Sequence, residues 1–136
     1  MAALAQAYPD DVDVLALAAD AAVNITAWAL WDTATGAPAP DSRVLEAKAY
    51  LDRALASDVG RAHPGVLHLY IHAMEMSAHP EDALPAAVSA AAAAMAQGKS
   101  DEEVALLAAI FTQLGDSLAM IVALRACEKS GGSEAE

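Results

Sequence analysis

Pro64-Gly-Val-Leu-His-Leu-Tyr-Ile-His-Ala-Met-Glu75 is the stretch on which the reading of this chain turns. Taken as a helix, it sets His68, His72 and Glu75 at i, i+4 and i+7, on one face. The other side chains, among them Val66, Leu67, Leu69, Tyr70, Ile71, Ala73 and Met74, are apolar. One polar line therefore runs along an element built to be buried. Such a line is either the solvent face or a site.

Working outward, the helix ends near Ser77, ahead of His79-Pro80, and is entered through a connection, Asp58 to His63. Upstream a helix is predicted from about Ser42 to Ser57. Before it, Ala27 to Pro40 holds Trp28, Trp31, Gly36, Pro38 and Pro40, which spells a structured loop whose indoles pack onto neighbouring helices. Pro9-Asp10-Asp11 starts an earlier helix that runs to about Thr26, since acidic residues suit the first turn. Met1 to Ala7 is a short helical stub.

Downstream, a helix from Pro80 to Gln97 is closed by Gly98, and Ser100-Asp-Glu-Glu103 is a capping box opening the last helix. There Val104, Leu107, Phe111, Leu114, Leu118 and Ile121 recur at steps of three and four straight through Gly115, which predicts one long helix and not a hairpin. Gly115 weakens it by about 1 kcal/mol relative to alanine. Leu106, Ile110 and Val122 widen the apolar stripe. The helix is either wrapped by the others or shared with a second copy of the chain as a homodimer.

Composition agrees with helices throughout. The 136 residues are 57% hydrophobic with 4% aromatics; alanine is abundant and alternating Val, Ile and Thr runs are scarce, as in all-α proteins packed through small side chains. A net charge of −12 with seven scattered basic residues excludes a phosphate-neutralising nucleic-acid surface. The lone Cys127 excludes an internal disulfide and a thiolate metal cage, and reads as a buried, inert thiol. Met1-Ala-Ala-Leu4 lacks a basic leader region, and no apolar run reaches spanning length without a charge or a breaker. The expectation is a soluble, cytoplasmic protein without membrane contact.

Periodicity carries the reading further. Pro64 to Gln97 spans one tetratricopeptide length of roughly 34 residues, with Leu67, Tyr70 and Met74 at the large positions of a first helix and Ala83, Ala87 and Ala90 in the second. Ala47, Leu51, Ala54 and Leu55 match the second helix of another such unit, and Val14, Leu17, Ala18 and Ala21 its first. The first 97 residues thus resemble tetratricopeptide repeats of bacterial type. The stretch Leu106 to Ala126 resembles a short helical segment of small bacterial proteins of unknown role. The expected architecture is all-α: helical hairpins of α-solenoid type over about 1–97, a long capping helix over 98–129, one domain over 1–129, and a disordered tail over 130–136. Because the chain starts within a repeat, it is either whole or part of a longer array.

In repeats of this kind the first helices line a concave face. The resemblance implies a groove formed by Leu15, Ala19 and Ala22 with His68, His72 and Glu75. The function expected is capture of a protein or peptide, preferably basic, with histidine protonation below about pH 6.5 tuning its strength. A first alternative is a divalent metal site in which His68 and His72 bind Zn²⁺ or Cu²⁺, with Glu75 or His79 as third ligand. A second is a small acidic inhibitor of a basic partner. His63, ahead of Pro64, reads as a loop anchor or helix cap, and His79 likewise. Asp10, Asp11, Asp13 and Asp20 read as a solvated acidic face. No Gly-x-Ser-x-Gly elbow, HExxH pair or Gly-rich phosphate loop is present, so no enzyme activity and no obligatory cofactor are expected.

Overall fold

The computed structural model describes residues 1–131, and the side chains of residues 1–126. The tail expected to be disordered therefore lies largely outside the described residues, as does the Cys127 side chain. Helices α1 (Ala2–Ala7), α2 (Val12–Val23), α3 (Val44–Leu55), α4 (Asp58–Ala62), α5 (Pro64–Met74), α6 (Leu84–Ala96) and α7 (Asp101–Gly131) follow in order, with short 3₁₀ turns at Asn24–Thr26 and Pro80–Ala83. Among the described residues the protein is all-helical, with one isolated antiparallel bridge, Trp31 to Pro38.

Local chemistry sets the boundaries. Asp11 caps α2, its carboxylate accepting from the Val14 N–H at 3.0 Å. The helix tightens through the 3₁₀ turn and stops where Ala27 and Trp28 take left-handed φ values of 47° and 67°, a conformation that side chains other than glycine adopt rarely. In the loop that follows, the Trp31 indole Nε1–H donates to the Ala73 carbonyl at 2.6 Å, tying the segment to the last turn of α5. The indole thus satisfies a backbone acceptor at a helix end, where intrahelical partners run out.

Where a plain connection was expected after Ser57, the chain makes a helical turn, α4. Ser57 caps it by accepting from the Gly60 N–H at 3.0 Å, and Arg61 folds back to donate to the carbonyls of Leu55 and Ala56. Gly60 is buried because a Cβ there would lie 1.8 Å from the Ala54 carbonyl oxygen. The expected ends of α3 and α5 were each two or three residues too generous, and Pro80 opens a 3₁₀ turn ahead of α6. Gly98, at φ +74°, lies just past the end of α6. The capping box of α7 forms in both directions: Ser100 N–H donates to Glu103 Oε2 at 2.9 Å, and Glu103 N–H to Ser100 Oγ at 3.3 Å.

The core lies where α2, α3 and α5 meet. Leu15, Val23, Val44, Leu51 and Val66 are its largest fully buried side chains, and Ala18, Ala19, Ala47, Ala54 and Ala73 let the helices approach closely. Every buried hydrophobic side chain among the described residues lies between Ala5 and Ala86. The chain divides into two compact units, Met1–Met95 and Ala96–Glu136. The physical reason is that the stripe of α7 is not core: Phe111, Leu114, Leu118 and Ile121 are all exposed. Gly115 does not interrupt this helix, so Asp101–Ala126 is long and apolar enough, by length and composition, to cross a membrane.

Candidate functional site

On α5 the polar line points outward. His68 and Glu75 are exposed and His72 is half-exposed. His72 Nδ1 lies 3.0 Å from Glu75 Oε1, the His68 and His72 rings meet edge to face at 4.6 Å between centroids, and Trp28 abuts His72 at 5.8 Å. His72 Nδ1 and Glu75 Oε1 thus partner each other within the helix end. Among the described residues no group of three or more His, Cys, Asp or Glu side chains is placed to hold a metal ion. The metal set His68, His72 and Glu75 is therefore corrected: the i, i+4 spacing pairs the two rings, but the carboxylate is bound to one of them and no third ligand joins.

The apolar half of the expected groove is corrected too. Leu15, Ala19 and Ala22 are 1%, 0% and 5% exposed, packed in the core and closed to any ligand. The open hollow between α2 and α5 is lined by a neighbouring face of α2, with Asp13, Ala16, Leu17 and Asp20, and by His63, Pro64, Gly65, His68 and Leu69 from the start of α5. Its volume is about 660 Å³. Of the histidine stripe, only His68 lines this hollow.

His63 holds the two helices in register. Its Nδ1 accepts from the Val66 N–H at 3.2 Å, capping α5, while Nε2 lies 3.0 Å from Asp13 Oδ1 on α2. With Nδ1 engaged as an acceptor, the ring proton sits on Nε2 and is donated to the carboxylate. The cap expected at His63 is thus present. His79 makes none; its ring lies 3.2 Å from Glu81 Oε1 instead. Backbone hydrogen bonding at Glu81, followed by that His79 contact, holds the Glu81 carboxyl below its ordinary range.

At the other end of α2, Asp20 Oδ1 accepts from Asn24 Nδ2 at 3.1 Å, and Asn24 Oδ1 accepts from the Trp28 indole at 3.1 Å. The hollow therefore has an apolar floor of Ala16, Leu17 and Leu69 between carboxylates two helical turns apart on α2, and no lysine or arginine among its lining residues. Asp13, Ala16, Leu17 and Asp20 fall at i, i+3, i+4 and i+7. The signal was present in the sequence as the same periodicity that singled out α5, hidden because the aspartates also suit a solvated face.

A family model described as a family of unknown function (DUF6774) matches residues 101–127, within α7. No curated protein and no solved structure matches the chain. The match leaves the hollow between α2 and α5 untouched. A second hollow, of about 390 Å³, is lined by residues of α3 to α6 that include Asp52, Arg61, Tyr70 and Asp82. Beside it Lys48 pairs with Asp52 at 2.9 Å and sits 5.7 Å from the Tyr70 ring centroid. Both charge signs line it, so it lacks the one-signed character of the first.

Proposed function

We propose that this protein captures a basic segment of a protein or peptide in the hollow between α2 and α5. The observation that carries the reading is the lining of that hollow: Asp13 and Asp20 with apolar Ala16, Leu17 and Leu69 between them, and neither lysine nor arginine. Lys or Arg of an extended ligand would pair with the carboxylates while intervening apolar side chains cover Leu17, which is 57% exposed. A chain of net charge −12 also steers cationic partners toward itself. The tetratricopeptide-like reading of the first 97 residues belongs to this proposal. It is supported by the order of the helices, with α2 and α5 as the first helices of successive hairpins and α3 and α6 as the second, and by the contact of α2 with α5.

The test is fluorescence anisotropy with a labelled ten-residue peptide of alternating Lys and Leu, against its Glu and Leu counterpart. The Lys peptide is expected to bind, more weakly as salt rises. Asp13→Asn with Asp20→Asn should weaken it at least tenfold, about 1.4 kcal/mol. His68→Ala, which touches the hollow, should weaken binding, while His72→Ala should not. Equal binding of the acidic peptide, or no loss in the double variant, would remove the proposal.

A further inference from the structure

The two carboxylates of the hollow between α2 and α5 are held differently. Asp13 Oδ1 is engaged by His63 Nε2 at 3.0 Å, and that imidazole is itself fixed by capping α5. Asp20 Oδ1 accepts from Asn24 Nδ2 at 3.1 Å, an amide whose own oxygen accepts from the Trp28 indole at 3.1 Å. Trp28 reaches that position through left-handed backbone at Ala27 and at Trp28 itself. Such conformations persist only where the surroundings hold them, and they concentrate at ligand sites. Here the bend stands the indole edge to face against His72, at 5.8 Å between centroids, and His72 in turn meets His68 at 4.6 Å. A line of contacts thus leaves the hollow at Asp20, passes through Asn24, Trp28 and His72, and re-enters it at His68.

Helix direction brings the two ends of that line together. Asp13 of α2 meets His63 at the start of α5, and the continuation of α2 at Trp28 meets the end of α5 at His72, so the two helices run the same way. Asp20 lies about 10 Å along α2 from Asp13, and His68 about 7 Å along α5 from His63. Both therefore stand away from the His63 end, a positioned carboxylate and an exposed imidazole. Asn24 takes Asp20 Oδ1 and leaves Oδ2 to a ligand. The edge-to-face contact with His72 covers at most one side of the His68 ring. A guanidinium offers a fork for the carboxylate and a flat face for the imidazole, whereas an ammonium offers only a point charge.

We infer that the Asp20 end of the hollow is an arginine subsite: Asp20 takes the guanidinium, His68 stacks on it, and Asn24, Trp28 and His72 are positioning residues. The inference rests on the capture of a basic segment proposed above and names the basic side chain that is chosen. The Asp13 end, with its imidazole committed to the α5 cap, accepts either cation.

Anisotropy at pH 8 with labelled ten-residue peptides of alternating Arg and Leu, or of alternating Lys and Leu, tests it. The Arg peptide is expected to bind roughly fivefold tighter, the scale of one exposed contact between a cation and a ring. Asp20→Asn and His68→Ala should each bring the ratio close to one, whereas Asp13→Asn should weaken both peptides and keep it. His68→Phe retains a flat ring and should keep it too. Asn24→Ala and His72→Ala should lower the ratio through the Arg peptide alone, with circular dichroism unchanged. Equal binding of the two peptides, a preference that survives Asp20→Asn or His68→Ala, or its loss in His68→Phe would overturn the subsite and leave basic capture standing. Binding of neither peptide would remove both.

Discussion

Gly60 shows how one missing methyl group shapes the first unit. The α4 turn brings its backbone so close to the end of α3 that an added Cβ would meet the Ala54 carbonyl carbon at 2.4 Å and its oxygen closer still. The contact is with backbone, so no side-chain rotation relieves it. Gly60→Ala should destabilise the protein by on the order of 2 kcal/mol, the usual cost of overpacking a close contact, read as a fall in the urea midpoint at unchanged slope. A variant as stable as the parent would show that α4 separates from α3 without penalty. His63 makes the complementary point: a single imidazole caps α5 with one nitrogen and reaches Asp13 of α2 with the other. The same residue thus ends a loop, starts a helix and sets one wall of the proposed binding hollow.

At the scale of the element, α7 departs most from ordinary expectations. It runs 31 residues, opens with a reciprocal capping box and passes through Gly115 without a break. Nothing lies within 4 Å of where a Gly115 Cβ would be, so adding one costs no packing. Gly115→Ala should stabilise the middle of the helix by about 1 kcal/mol, through reduced backbone entropy in the unfolded state. Amide hydrogen exchange in the flanking turns should slow by roughly fivefold. Unchanged or faster exchange would mean that the glycine serves a contact alanine cannot make. Helix α2 behaves differently: its alanines are its core face, and the large Leu17 is left outside on the wall of the hollow.

For the whole molecule, stability is expected to fall in alkali through the helices that build the core. The Lys48 pKa is raised, chiefly by its hydrogen bond to Asp52; that of Tyr50 is raised chiefly by donation to Glu46 at 2.9 Å, and that of Tyr70 chiefly by burial. In all three the folded state favours the proton-bearing form. Their contribution is therefore complete below the ordinary values of 10.5 for lysine and 10.0 for tyrosine and disappears as pH rises through the higher folded values. The urea midpoint should be lower at pH 11 than at pH 8. A midpoint that holds or increases over that interval would contradict the assigned contacts.

Much of this was legible in one dimension because its causes are local. Apolar spacing, the helix start at Pro9-Asp10-Asp11, the Ser100 capping box and continuity through Gly115 depend on residues a few positions apart, and the all-helical class follows from them. The three-dimensional arrangement decided which face of each helix met which. Alanine is equally at home in a core or on a wall, so the repeat resemblance placed Leu15, Ala19 and Ala22 at a groove when they are core, and Leu17, given a repeat position, and Asp13 and Asp20, given a solvated face, line the hollow instead. The separation of α7 into a second unit was equally hidden, since a wide apolar stripe reads the same whether its cover is the chain itself or something else. Burial belongs to the contact between elements, and short-range spacing carries no record of it.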